Sequence, residues 1–340
     1  LKLLLKVFKY LLFLSFGVLI FWLVYRKQPV EDILEGLKTA NYSWIIIALS
    51  IALTGHLSRA MRWKIIIKPL GKNIRTLHSF IAVMIGYLAN LALPRMGEVT
   101  KCVILNRTDK LPINKLLGTV LVERLVDFIG LLILTFVAVV IEFSRIKDIL
   151  YNSYHYYKDQ YENIFNYTTI GLAIFIILAF IATLILIKKS KRNFKQHPLY
   201  LKIRELIAGF WSGIKTIKKM EKRGAFIFHT VYIWVTYFLV TYLIFFSIEA
   251  TSHLDAAAGL FVLTISSLGF IMPVQGGIGT YHFAAEKALK VFNIGHEDAS
   301  LFALIAHSSQ TIMIILVGGI SFMIFYFIQR NAKHGQLSKN

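Results

Sequence analysis

A small set of ionisable side chains, placed inside apolar stretches, could do chemistry in this sequence. Arg95, Glu98 and Lys101 follow Pro94 at i, i+3 and i+6, near one face of a helix. Glu123, Arg124 and Asp127 form a second group in a long apolar run; Glu123 and Asp127 share a face at i, i+4, and Arg124 can reach Asp127 at i+3. A guanidinium holds a lipid phosphate through two parallel hydrogen bonds, and a carboxylate can carry a coupling proton, bind a cationic headgroup or act as a general base. The same residues could instead form an internal ion-pair network that pins neighbouring helices, so cavity lining, structural pairing and catalysis all stay open.

A third group is glycine-rich. Gly276, Gly277 and Gly279 precede Tyr281, His282 and Glu286. A glycine break at a helix start offers free amides and a positive dipole end, an anion site that needs no side chain, and it is also what a sharp turn requires. The pattern Gly277-x-Gly279-x-x-His282 is no dinucleotide fingerprint, because no strand precedes it and the third glycine is absent. Walker A, His-Glu-x-x-His, Gly-x-Ser-x-Gly and Cys-x-x-Cys patterns are missing as well, and the single cysteine, Cys102, excludes a multi-cysteine metal site. No cofactor, metal or catalytic residue is therefore expected. His56 and His307 read as packed polar residues.

The elements that must hold these groups are membrane helices. Hydrophobic residues make up 56% of 340 and charged residues 16%, with mean hydropathy +0.63. A soluble chain carries about 25% charged residues to cover its surface. Apolar runs fall near 11–25, 42–62, 76–93, 115–142, 169–187, 225–248, 254–272 and 299–327, eight spans by simple count. A net charge of +20 then reads first as membrane orientation and not as nucleic-acid affinity.

Charge bookkeeping revises that count. Residues 188–224 hold twelve Lys and Arg against Glu205 and Glu221 and belong in the cytoplasm, as do the N-terminal lysines and the loop after the second run, where Arg59, Arg62, Lys64, Lys68, Lys72 and Arg75 gather. Residues 143–168 are charge-balanced and belong outside. These sides agree if 76–93 enters, turns at Pro94-Arg95-Met96-Gly97 and returns along 98–108, and if 254–272 enters, turns at Met272-Pro273-Val274-Gln275-Gly276-Gly277 and returns along 278–292; two ordinary kinked spans with a local departure from the charge rule are the alternative. The fold class is then an all-α integral membrane protein, about six spanning helices plus two re-entrant helical hairpins in an inverted-topology repeat. The repeats cover about 42–142 and 225–327 of a single membrane domain, residues 1–340. Transporters use such interrupted helices to bring polar backbone to a cavity near the midplane. Between the repeats, Leu199 to Met220 is amphipathic, with Ile203, Phe210 and Trp211 opposite Lys202, Lys215 and Lys219, and is expected to lie on anionic lipid headgroups.

Three motifs together, Pro94-Arg95-Met96-Gly97-Glu98, Val122-Glu123-Arg124-Leu125-Val126-Asp127, and Pro273 with Gly276-Gly277-Ile278-Gly279, resemble the lysylphosphatidylglycerol synthase transmembrane-region family over nearly the whole chain. One departure is His282, which stands where that family often has an acidic residue. The resemblance implies a flippase-like inner-membrane protein that moves or binds a polar-headed, phosphate-bearing or otherwise anionic lipid. It implies the membrane part alone, without the aminoacyl transferase domain of the multiple peptide resistance factors. Arg95, Glu98, Glu123, Arg124 and Asp127 would line its cavity, and both termini would be cytoplasmic. A membrane transferase acting on a lipid-linked substrate and a non-catalytic partner subunit are the alternatives. The sequence specifies no oligomeric state.

Overall fold

A computed structural model of the protein describes residues 2–26, 28–160, 171, 174, 220–272 and 274–337. The expected span at 169–187, most of the basic stretch 188–224, and Pro273 therefore fall largely or wholly outside the described residues. The described chain is helical. In order come α1 (Lys2–Tyr25), α2 (Val30–Thr39), α3 (Tyr42–Ile67), α4 (Thr76–Ala92), α5 (Met96–Asp109), α6 (Ile113–Ile141), α7 (Phe143–Gln160), α8 (Arg223–Phe245), α9 (Glu249–Ser252), α10 (Ala256–Gly269), α11 (Thr280–Lys290) and α12 (His296–Leu337). Contacts divide it into two compact units, residues 1–142 with 220–340, and residues 143–219. Within the second unit α7 carries a Tyr151–His155 ring contact at 4.2 Å.

Among the described residues four helices, α3, α6, α8 and α12, are long and apolar enough to cross a membrane. Their outer faces are hydrocarbon-like: Leu121 and Phe136 on α6 are 64% and 70% exposed, and Phe228, Leu316 and Phe327 are exposed on α8 and α12. In water such a surface would drive association; in a bilayer it is the surface that the lipid needs.

Two further apolar helices, α4 and α10, are too short to cross. At 17 residues α4 reaches about 25 Å and at 14 residues α10 reaches about 21 Å, given 1.5 Å per residue, against a hydrocarbon core of about 30 Å. Each doubles back instead. Between α4 and α5 the chain turns at Leu93-Pro94-Arg95, with Arg95 in the left-handed region at φ 61°. At the other end of this hairpin Lys72 donates to the Asp109 carbonyl at 2.6 Å and His78 lies 3.0 Å from the Asp109 carboxylate, so the returning arm ends beside the start of the outgoing one. The arms approach so closely that a Cβ on Gly97 would sit 2.2 Å from the Gly86 carbonyl oxygen, a contact no larger residue could make. The second hairpin, α10 to α11, turns through a single 3-10 turn at Gln275–Gly277. Each returning arm is followed by a non-glycine residue with positive φ, Lys110 after α5 and Asn293 after α11.

Helix contacts repeat the pattern. α3 packs on α8; α4 packs on α12, and α10 packs on α6. Exchanging the first repeat's elements for the second's, α3 with α8, α4 with α10 and α6 with α12, maps this set of contacts onto itself. The expected runs 76–93 and 98–108 are α4 and α5, 115–142 is α6, and 299–327 lies within α12.

α1 lies outside the repeats and packs on the second hairpin. A Cβ on Gly279 would sit 2.2 Å from the Gly17 carbonyl oxygen, and Phe21 and Tyr25 flank the His282 ring at 5.1 and 5.8 Å.

Candidate functional site

The two hairpin tips meet. Gly276 lies against Leu91 at the end of α4, and the tips, with α3, α6, α8 and α12, enclose a cavity of about 390 Å³. That is within the usual range for a small-ligand site, about 300–1,000 Å³. Arg95, Glu98, Arg124, Gly276 and Gly277 stand on its wall.

Arg95 is exposed, and its guanidinium has no ion-pair or hydrogen-bond partner among the described residues. Its backbone occupies a left-handed turn position where glycine or asparagine would cost less, a strain of about 1 kcal/mol. Arg124 meets Glu98 through Nε at 3.3 Å, both side chains being partly exposed. The expected Arg124–Asp127 approach does not occur, because Asp127 turns away from the cavity toward α3.

Lys101, Glu123 and Asp127 are drawn into a buried network beside the cavity. Glu123, with a fully buried side chain, receives Lys101 Nζ at 2.5 Å and Arg59 Nη1 at 3.0 Å. Asp127 receives Arg59 at 2.9 Å and Arg62 at 2.6 Å. Arg59 also donates to the Tyr237 hydroxyl at 2.9 Å, and Arg62 to Thr230 at 3.4 Å, so α3, α5, α6 and α8 are all joined. Lys101 lies over the Trp63 ring at 4.4 Å, and the Trp63 indole donates to Thr119 at 2.9 Å. Buried charges survive only when paired and hydrogen-bonded, and this network pairs them.

Arg59 and Arg62 were expected in a cytoplasmic loop. They lie instead within α3, 5% and 0% exposed. Their i, i+3 spacing on a helix face opposite an i, i+4 carboxylate pair was the available signal; the neighbouring Lys64 and Lys68 hid it by making the whole stretch read as a basic helix end. Arg59, Arg62, Lys101 and Arg124 against Glu98, Glu123 and Asp127 leave one positive charge in excess before Arg95 is added.

His282 and Gly279 face away from this cavity. His282 is buried against α1 and lies 4.8 Å from the His307 ring; its Nδ1 accepts the Gly279 amide at 3.3 Å. His307 Nε2 donates to the Gly276 carbonyl at 2.7 Å. These two histidines thus hold the glycine turn in shape. Among the described residues no cluster of His, Cys, Asp and Glu is arranged to hold a metal ion.

The chain is similar to two proteins of Methanocaldococcus jannaschii. It is 24% identical to UPF0104 membrane protein MJ1595 over 306 residues, 87% of this chain and 88% of the relative. It is 25% identical to UPF0104 membrane protein MJ1078 over 248 residues, 72% of this chain and 95% of the relative. No solved structure matches it. The lysylphosphatidylglycerol synthase TM region matches residues 7–318 and thus spans both hairpins, the cavity and the buried charge network; the chain is a multi-pass membrane protein that belongs to this family.

Proposed function

We propose that the chain binds an anionic, phosphate-bearing lipid in the cavity between the hairpin tips and passes its headgroup between leaflets. The observation that carries the reading is Arg95, a guanidinium with no partner among the described residues on the wall of a cavity of about 390 Å³. A cation near the membrane centre is costly unless it serves a ligand or a partner, and a phosphate oxygen is the acceptor that its planar fork fits. Arg124, paired through Nε, can turn its terminal nitrogens to the same ligand. Lysylphosphatidylglycerol in the family's description agrees with a phospholipid ligand.

Interrupted helices supply the rest. Two short hairpins whose polar tips meet give a headgroup a hydrated path while acyl chains stay in hydrocarbon. With both termini and Lys72 on the cytoplasmic side of an inner membrane, the first hairpin opens from the cytoplasm and the second from outside, and the repeats are inverted. No nucleotide motif occurs in the sequence, so movement runs downhill or on an ion gradient. The basic stretch 188–224 then rests on anionic lipid of the cytoplasmic leaflet.

The test is transfer of a labelled anionic phospholipid across liposomes containing the purified protein. Faster transfer than in liposomes bearing the Arg95→Ala, Arg124→Ala double variant is expected. Rates equal to those of protein-free liposomes, with proton or sodium gradients imposed in both directions, would overturn the reading.

A further inference from the structure

One buried polar group on the cavity wall is left unused by a phosphate. His56, on α3 one turn before Arg59, is 7% exposed, and neither ring nitrogen has a hydrogen-bond partner among the described residues. Its ring packs on Tyr87 at 5.0 Å, and both residues line the cavity that Arg95 and Arg124 line. A buried polar side chain without a partner is rare, and when it faces a cavity it marks what the cavity is built to receive.

The neutral imidazole offers one donor and one acceptor. A phosphodiester accepts only and an ammonium donates only; a hydroxyl does both. The remaining polar wall has the same character. Asn90 spends its Oδ1 on the Gly97 amide at 2.7 Å, and its amide nitrogen is left to donate. The Tyr87 hydroxyl and Ser267 carry no hydrogen bond among the described residues, and both line the cavity. The described wall sets two guanidinium groups, Arg95 and Arg124, against one carboxylate, Glu98, whose Oε1 meets Arg124 and whose Oε2 has no hydrogen-bond partner among the described residues, so a cationic amine meets a wall of net positive charge.

Building on the lipid reading above, we propose that the cavity selects a phosphate ester bearing a neutral, hydroxyl-rich group such as glycerol or a sugar. The phosphate sits on Arg95 and Arg124, the hydroxyls on His56 and its neighbours, and aminoacylated or other cationic headgroups are disfavoured.

The experiment measures binding of short-chain lipids to the purified full chain in detergent. Dihexanoyl phosphatidylglycerol is compared with dihexanoyl phosphatidylpropanol, whose headgroup lacks only the two hydroxyls, with its lysyl ester, and with free glycerol 1-phosphate. The glycerol lipid should bind about tenfold tighter than the propanol lipid, the effect of one to two net hydrogen bonds, and tighter than the lysyl ester. His56→Phe should erase that preference and leave the propanol lipid's affinity unchanged, while His56→Gln, which keeps a donor and an acceptor, should retain it. Equal affinity of the unaltered protein for the glycerol and propanol lipids overturns this inference and leaves the lipid reading standing. So does binding of the lysyl ester as tight as that of the glycerol lipid, or a His56→Phe variant that weakens both neutral-headed lipids alike. Failure of every phosphate lipid to bind overturns both. Glycerol 1-phosphate binding as tightly as the lipid would support the hydroxyl-phosphate selectivity but make a soluble ester, and not a lipid, its source.

Discussion

Lys101 and Glu123 meet at 2.5 Å with side chains 5% and 0% exposed, and through them α5, the returning arm of the first hairpin, is tied to α6. Arg59 and Arg62 add α3 to the same carboxylates. The residues nearest the cavity are therefore divided by role. Lys101, Glu123 and Asp127 hold the hairpin in place, and Arg95 and Arg124 are left with donors to offer.

Removing the shared carboxylate should cost most. Glu123→Ala leaves Lys101 buried without a counter-charge and Arg59 dependent on Asp127 alone, and is expected to destabilise the protein by about 3–5 kcal/mol. The double variant Lys101→Met, Glu123→Leu removes the stranded charge as well and should be more stable than Glu123→Ala. Thermal unfolding in detergent, followed by size-exclusion chromatography, compares them; a double variant less stable than the single would contradict the pairing.

Arg95 should behave in the opposite way. Arg95→Gly relieves a left-handed backbone at φ 61° and breaks no ion pair, so unfolding temperature should hold or rise. Binding of an anionic phospholipid should nevertheless fall roughly 10- to 100-fold, the loss of one charge-assisted hydrogen-bonded contact. Unchanged lipid affinity in a well-folded variant would remove Arg95 from the site.

The arm crossing at Gly97 gives a steric prediction. An added Cβ would lie 2.2 Å from the Gly86 carbonyl oxygen and 2.6 Å from Asn90 Nδ2, so Gly97→Ala must part the hairpin and should cost about 1–3 kcal/mol, in the manner of an overpacked core. Gly118 on α6 has nothing within 4 Å of its Cβ position, so Gly118→Ala should be neutral or stabilise by up to about 1 kcal/mol. Comparable unfolding temperatures for the two variants would count against the close crossing.

Sidedness follows from the return of the first hairpin. With the buried Cys102 replaced by alanine, cysteines at the exposed positions Lys72 and Lys110 should react with an impermeant reagent from one side of the membrane, and a cysteine at Lys38 on α2 from the other. Reaction at positions 38 and 110 from the same side would make the hairpin a full crossing.

The hairpins were legible in the sequence because their signals are local. Pro94, Gly97 and the glycines at 276, 277 and 279 break apolar runs that are otherwise uninterrupted, and charge parity indicates which runs fail to cross. The partners within the site were less legible, since they come from elements far apart in the chain. Arg124 sits three residues from Asp127, yet α6 turns Asp127 toward α3 and leaves Arg124 to Glu98. His56 gave no sign of its position on the cavity wall: an isolated histidine in an apolar run looks the same whether it packs or faces a cavity, and only the placement of α4 and α8 around it decides.

The packing of α1 on the second hairpin bears on the order in which the molecule can be completed during its synthesis. The Tyr25 hydroxyl donates to the Ser300 carbonyl at 2.8 Å across 275 residues of chain. A ribosome adding about 5–20 residues each second needs on the order of tens of seconds to cover that distance. Throughout that interval the first helix is made and its docking surface is not, and the crossing of Gly17 over Gly279 has to wait. The first repeat can close around its own ion pairs while still on the ribosome, except for the surfaces of α3, α4 and α6 that await α8, α12 and α10. Helix α1 is then among the last elements to dock, although it is translated before both hairpins.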